Sequence, residues 1–409
     1  MAPQGQLSLA GTETAVVLGD GTGVLGPAMG DAARRLPLST VILDGYDRAY
    51  SANLAAGIGN ARLDPKLYDA VSGRTQGLDV KAGETSIAFT VDPGSVRAAQ
   101  PVPLRLDDEH AEKARLLAAR IATRIAPNTQ LAFALRQGAQ GLEASLAGKV
   151  RPAFLLAGEG GSNLGFTARG DGAVAVRHAM GPLGLTVSAE TGDVWTDRIA
   201  HDGFDRGQQA GFARYGGALD WSRGAVDLAV GASWLAEDET VLGARFADSI
   251  GAGGAESLFF DATAGWQPAP GWSLTADYRR GFTMPQAAGM VESGSRFQSS
   301  AWSVDAQKVG VLLRGDALGL RIAQPLRVEN GGIALTLPTG WDYATETATF
   351  GRRTLSLTPS GREIDGEVRW TGPWMGGNLT ASLFYRRDPG HVASIADDKG
   401  AALRWYAKF

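Results

Sequence analysis

The chain is predicted to be all-β, a transmembrane antiparallel β-barrel of about fourteen strands with an amino-terminal linker or plug-like segment. Three observations carry that prediction. Alternate residues are apolar along many segments of about ten residues, long and short connections alternate between them, and the chain ends on AALRWYAKF. In that last stretch Ala401, Leu403, Trp405 and Ala407 share one face, while Arg404, Tyr406 and Lys408 share the other. A strand sends successive side chains to opposite faces, so one face of such a strand can meet lipid and the other a watery lumen.

Composition permits a barrel and narrows the alternatives. With 409 residues the chain has room for one large barrel plus an extension. Charged residues make up 20% and the net charge is -4 with both signs mixed, which leaves no footprint for nucleic acid. Cysteine is absent, in keeping with passage through an oxidising periplasm. No apolar run reaches the roughly 18 residues that a membrane helix needs. The start, MAPQGQLSLAG, lacks the basic and apolar blocks of a signal peptide, so an exported chain is expected to be a mature product or a fragment with an added Met1.

The strand pattern is clearest late in the chain. Ile364, Gly366, Val368 and Trp370 alternate with Glu363, Asp365, Glu367 and Arg369, and Leu379, Ala381, Leu383 and Tyr385 alternate with Thr380, Ser382, Phe384 and Arg386. Val226 to Trp234, Leu258 to Trp266 and Trp272 to Tyr278 repeat the motif. Trp234, Trp266, Trp272, Tyr278, Trp370, Tyr385 and Trp405 fall near the ends of these apolar faces, where aromatic girdles sit at membrane interfaces. Glu363, Asp365, Glu367, Arg369, Arg386, Arg404 and Lys408 are expected to line the lumen as a cross-strand network of both signs.

Fourteen strands are expected, near 83–92, 112–126, 129–138, 172–181, 183–191, 209–222, 225–236, 257–267, 272–282, 300–312, 316–328, 362–371, 378–387 and 401–409. Short connections such as Pro127-Asn128 and Arg223-Gly224 alternate with long ones at 139–171, 192–208, 237–256, 283–299 and 329–361. Short periplasmic turns and long external loops produce this alternation, and an even count would place both ends of the barrel in the periplasm. Segment 112–126 also has helix-forming composition, with Leu117, Ile121 and Ile125 spaced by four, so twelve strands is the alternative count. The barrel is thus expected over 83–409 and the linker or pore-associated segment, with short strands, over 1–82.

The first eighty residues contain Gly21-Thr-Gly23-Val-Leu-Gly26, a match to the dinucleotide-binding GxGxxG, flanked by Thr14–Leu18 and Val41–Leu43 as possible strands with Asp44 at the ribose position. Eighty residues are too few for a doubly wound sheet, and glycine is common throughout at 56 residues. The favoured reading is a glycine-rich linker, with Thr14 to Arg35 as the stretch to thread the lumen. No histidine has zinc-ligand spacing, and no metal or cofactor is expected. Asp107, Asp108 and Glu109 with His110 form a cluster able to bind a divalent cation, but the favoured reading is a solvated external loop; Asp202 and Asp205 with Arg206, and Asp397 and Asp398 with Lys399, read the same way, placed to meet lipopolysaccharide and its bridging cations.

Ser39-Thr-Val-Ile-Leu-Asp-Gly-Tyr-Asp-Arg-Ala-Tyr50 with Ser51-Ala-Asn-Leu54 resembles the segment behind the catalytic domain in autotransporter-like subtilisin-family (S8) serine peptidases of sphingomonad-type bacteria. Tyr385 to Gly400, Ala401 to Trp405, and Ala114 to Arg120 running into Asn128 to Phe133 look similar to the same proteins. The resemblance covers about Thr14 to Phe409. It implies a translocator or anchor barrel that exports or displays a passenger, assembled by the barrel-insertion machinery with Phe409 as signal. The catalytic peptides of that family, His-Gly-Thr and Gly-Thr-Ser, do not occur here, so an enzyme is not expected and no catalytic residue carries over. The implied partners are outer-membrane lipids and lipopolysaccharide, the assembly machinery, and the chain's own passenger or linker. A porin-like passive channel for small solutes and a soluble β-rich binding protein are the competing functions.

Overall fold

A computed structural model of the chain describes residues 2–7, 13–16, 23–32, 38–59, 76–92, 115–149, 154–160, 164–166, 168–195, 209–246, 250–251 and 253–406. The amino-terminal part carries short strands: β1 (Ala2–Leu7), β2 (Glu13–Val16), β3 (Gly23–Val24), β4 (Ser39–Leu43), β5 (Ala49–Asn53) and β6 (Ile58–Gly59). Then comes the wall: β7 (Gln76–Ala82), β8 (Thr85–Asp92), β9 (Arg115–Ala126), β10 (Thr129–Leu135), β11 (Ala168–Met180), β12 (Leu183–Trp195), β13 (Gln209–Arg223) and β14 (Val226–Glu237). One helix, α1 (Ala139–Leu146), lies between β10 and β11. After a two-residue strand β15 (Arg245–Phe246) the wall continues with β16 (Ala255–Trp266), β17 (Trp272–Pro285), β18 (Arg296–Val309), β19 (Ala317–Asp342), β20 (Thr347–Ser356), β21 (Ile364–Trp374), β22 (Gly377–Arg387) and β23 (Asp398–Tyr406).

The wall is one antiparallel sheet of sixteen strands. It runs as a continuous path of fifteen from β7 to β23, with β20 paired only to the outer half of β19. Every one of the fourteen expected strands is present. Segment 115–126 is a strand, not the helix weighed as its alternative, because it pairs on both sides, with β8 and β10. The sheet also begins earlier than residue 83, at Gln76. Thr85 pairs with Thr123, beside the short β9–β10 turn, so Gln76, paired with Val91, stands at the long-loop end. The expectation of an even count with both ends on the short-turn side is therefore corrected: the path starts on one side and finishes on the other.

Curvature follows from contacts between distant loops. Gly26 packs on the carbonyl of Leu242 in the β14–β16 loop, and Gly30 packs on that of His391 in the β22–β23 loop. Four residues span at most about 14 Å, yet on a flat sheet these loops, six strands apart, would stand about 29 Å apart. The sheet curls so that its loops converge, and one face becomes an interior. Burial agrees: inward residues such as Arg279, Asp305, Glu367 and Asp365 are buried, whereas the alternating outward ones are exposed.

The outward face is apolar. On β14 it presents Val226, Leu228, Val230 and Trp234, and on β16 Leu258, Phe260 and Trp266, all exposed. From Leu258 to Trp266 is about 26 Å of strand at ~3.3 Å per residue, or about 20 Å of height after a tilt near 40°. That matches the apolar band of an outer-membrane barrel, about 25 Å tall.

Candidate functional site

The interior is occupied by the chain itself. Leu142 and Leu146 of α1 pack on Ala132, Ala134, Ala173 and Ala175, so the helix lies against the inner face of β10 to β12. Small residues on those strands leave room for it. Glu190 accepts the Ala139 amide at the helix start, and Ser188 donates to Glu143. The loop then crosses the lumen to the opposite wall. There Glu367 accepts the amides of Leu155, Leu156 and Ala157 at 2.7, 2.8 and 3.2 Å, and Ser303 Oγ accepts that of Gly160 at 3.1 Å. Arg321 donates to the Ala157 carbonyl at 3.1 Å while its guanidinium stands over the Phe154 ring.

Charged side chains surround this loop in matched sets. Arg279 donates to both oxygens of Asp261 at 2.6 and 2.9 Å, Arg321 Nε donates to Asp305 at 2.6 Å, and Arg177 holds Asp220 at 2.7 Å. Asp277 accepts from Thr263 at 2.7 Å and from Ser303 at 3.2 Å. Burying a charge is tolerable only with such partners. A cavity of about 190 Å³ remains beside the loop, bordered by Glu143, Lys149, Glu159, Arg214, Asp261 and Asp277.

The long-loop mouth is closed by the amino-terminal segment. Leu25, Ala28, Met29, Leu38, Leu54 and Ile58 share an apolar core with Phe166 and Leu242 of the rim loops, Phe246 of β15, and Leu326, Val328 and Leu335 of β19. β3 pairs β15, the Thr40 hydroxyl donates to the Pro338 carbonyl at 3.0 Å, and the Tyr343 hydroxyl accepts the Ala49 amide at 2.9 Å. Asp31 accepts the amides of Ser360 (2.7 Å) and Ala393 (3.2 Å) and the Ser360 hydroxyl. Burial opposes ionisation of Asp31, but these donors more than offset it and hold the carboxyl below its usual range. His391 is locked beneath this joint: its Nδ1 accepts the Glu363 amide at 2.9 Å and its Nε2 donates to the Leu326 carbonyl at 3.1 Å. Burial pushes the imidazole down to about 4.

Of the residues expected to line the lumen, Glu363, Asp365, Glu367 and Arg386 stand on the inner face of β21 and β22 or at its edge. Arg386 bonds Glu363 at 2.7 Å and faces Asp365 at 3.4 Å, all three buried, and Glu367 anchors the crossing loop. Arg369 is only half-buried and Arg404 is exposed, since both lie toward the short-turn end where the lumen opens. Lys408 and Phe409 lie outside the described residues, as do His110 and its acidic neighbours and Asp202, Asp205 and Arg206. The aromatics Trp234, Trp266, Trp272, Tyr278, Tyr385 and Trp405 are exposed on the outer face. Tyr278 stands in mid-strand, not at an end. Trp370 is half-buried, its indole donating to Asp316 at 2.9 Å. That carboxyl also accepts the amides of Val311, Leu312 and Leu313, pinning the β18–β19 turn.

The glycine-rich motif is no nucleotide cradle. β2 pairs β1 and β4 pairs β5, both antiparallel, and a Cβ on Gly26 would lie 2.1 Å from the Leu242 carbonyl oxygen. Asp44 closes its own hairpin, accepting from Tyr46, Arg48 and Tyr50. Nor do Leu25 to Ala32 thread the lumen, since they sit at its mouth, and the lumen is filled by the β10–β11 loop. Sequence reasoning missed Arg214, Arg279, Asp305 and Arg321. Charged residues at inward parity within alternating strands were the available signal.

No family model and no curated protein matches the chain. Among solved structures it is similar to OmpT (in-vitro folded), an outer membrane protein of Vibrio cholerae, at 8% identity and a TM-score of 0.35, over 69% of this chain and 76% of that one. It is also similar to OprB of Pseudomonas putida, at high pH, at 10% identity and a TM-score of 0.37, over 78% and 81%. Function has to be argued from the lumen and its cap.

Proposed function

We propose that the chain is a non-catalytic outer-membrane barrel that anchors its amino-terminal segment, and any passenger joined to it, on the external side. The observation that carries this reading is the seat of Leu25 to Ile58 among the long loops, with the lumen below filled by the crossing loop. Long loops are external in such barrels, and a plugged bore fits an anchor better than an open conduit. The belt of exposed Leu, Val, Phe and Trp supports membrane insertion, because a soluble protein rarely exposes so continuous an apolar surface. By the resemblance noted above, the passenger would be a subtilisin-family peptidase, and assembly would use the barrel-insertion machinery reading Phe409.

The test uses the absence of cysteine. Tyr46, on the β4–β5 hairpin, is 81% exposed. A Tyr46→Cys variant in intact cells should react with a membrane-impermeant maleimide as fast as in lysed cells. Protection in intact cells and reaction only after lysis would refute the orientation. The charged cavity favours a second reading, a porin-like channel for small solutes; steady conductance of the wild-type protein in planar bilayers would favour it over a static anchor.

A further inference from the structure

The outer face of β17 runs Trp272, Leu274, Ala276, Tyr278, Arg280, Phe282 and Met284. Arg280 is bracketed by exposed apolar groups: Tyr278 below it, Phe282 and Met284 above, and Phe260 directly across on β16. Its neighbour Arg279 points inward and is matched by both oxygens of Asp261. Arg280 has no such match. Among the described residues it makes no ion pair; one Nη2 hydrogen bond to Gln298 Oε1 and a Phe282 ring 5.9 Å away are its contacts. A guanidinium has five N–H donors, so most of its capacity faces outward.

A polar strip leads from Arg280 toward the long-loop rim. Asn330 reaches the same Gln298 oxygen at 3.4 Å. Ser300, paired with Arg280 across the strands, donates to Glu329 at 2.8 Å. Glu329 is in turn held by Arg327 at 2.9 Å and by Arg362 at 2.6 Å. Two arginines thus share one carboxylate, and with the unpaired Arg280 the strip is net positive. A cation on the lipid face is unfavourable unless something answers it. A planar guanidinium fork suits a phosphate bidentately.

Resting on the membrane reading above, we infer that Arg280 is the anchor of a binding site for the phosphate of an anionic lipid in the leaflet on the long-loop side. Gln298 fixes the orientation of the fork, Tyr278, Phe260 and Phe282 pack on the acyl chains, and Arg362 adds positive charge at the headgroup end. Lipid A and an anionic glycerophospholipid present the same chemistry.

The experiment is lipid retention by native mass spectrometry, after insertion into phosphatidylcholine nanodiscs doped with lipid A in one arm and phosphatidylglycerol in the other. The wild type should retain the anionic lipid with about tenfold preference over zwitterionic phosphatidylcholine, whose phosphate is already answered by its own choline cation. Arg280→Gln should abolish that preference, and Arg362→Gln should weaken it. Arg280→Leu, which removes a cation from the lipid face, should insert at least as well as wild type and also lose it. Preference in one arm identifies the source; in both, a site for a net anionic phosphate headgroup of either kind. Equal retention by Arg280→Gln, no preference in the wild type, or capture of a second copy of the chain in place of lipid would overturn the site. Failure of the wild type to enter nanodiscs would instead count against the membrane reading.

Discussion

Asp31 should be the latch of the cap over the long-loop mouth. Its carboxylate, 5% exposed, takes two amides and a hydroxyl from Ser360 and Ala393, which belong to two different rim loops. Asp31→Ala strands those donors in a buried joint, at about 1–3 kcal/mol each. Water entering the gap recovers part of this, leaving a net loss on the order of 3 kcal/mol. At 1.4 kcal/mol per factor of ten, the open fraction of the cap rises about a hundredfold. The probe is Ala28→Cys, a fully buried position in a chain without other cysteines. Its maleimide labelling rate should rise about a hundredfold in the Asp31→Ala background, and less with Asp31→Asn, which keeps one acceptor. Retained heat-modifiable mobility in dodecyl sulfate would show the barrel intact. Equal labelling rates with and without Asp31, in an intact barrel, would refute the latch.

Acid should loosen the same joint from two directions. The folded His391 titrates near 4 against an ordinary value of about 6.5. Its contribution is complete above about pH 6.5 and erodes as pH falls toward 4, by up to roughly 3 kcal/mol. Asp31, held below its ordinary carboxylate value, contributes above about pH 3.9 and is lost as pH falls through its lower folded value. The melting temperature of the cap should therefore fall between pH 6.5 and 4 in the wild type; a flat profile would contradict the His391 term. Gly160→Val should unseat the crossing loop, because its Cβ would lie 2.5 Å from the Trp302 carbonyl carbon, and should raise conductance in planar bilayers; a silent variant would show that the loop tolerates it. As the sole remaining tryptophan, Trp272 on the outer belt should be quenched by brominated lipid, while Trp341, in the outer half of β19 beyond the wall, should not.

The wall was legible because lipid outside and a polar bore inside impose a strict period of two on each strand. Where that contrast is strong, as in Val226 to Trp234, the strand bounds were close. The helix alternative at 112–126 arose because Leu117, Ile121 and Ile125 are four apart. That interval is a helical turn, but it is also two strand repeats, and Ile121 and Ile125 are both exposed on the outer face. β7 was missed although Leu78, Val80 and Ala82 alternate with Asp79 and Lys81, because its seven residues fall short of the segments of about ten that mark the other strands. The filling of the bore was not legible. Leu142 and Leu146 find their partners on alanines in β10 and β11, and nothing local distinguishes such a helix from one lying outside. The cap has the same difficulty: Leu25 and Met29 are buried by residues more than a hundred positions away, so their neighbours cannot be read from spacing.

The parity of the path bears most on mechanism. Had the wall begun with β8, the chain would enter from the short-turn side, and anything held outside would have to pass through the bore. With β7 descending from the long-loop end, the amino-terminal segment is already on the side where the cap sits. The bore is then free to be filled by its own loop, and its polar groups are spent on that loop: Glu367 on three amides, Arg321, held by Asp305 of β18, on the Ala157 carbonyl, and Ser303 on the Gly160 amide. Two closures in series, an apolar cap and a polar crossing loop, act on the same bore from different elements. Removing either alone leaves the other, so a Gly160→Val variant should conduct only in the fraction of time the cap stands open, and its conductance ought to grow when Asp31→Ala enlarges that fraction. Because the Asp31 joint lies at the rim and Gly160 against the wall of the bore, sharing no partner, their free energies should add. A double variant no more conductive than Gly160→Val would mean that the cap does not obstruct the path.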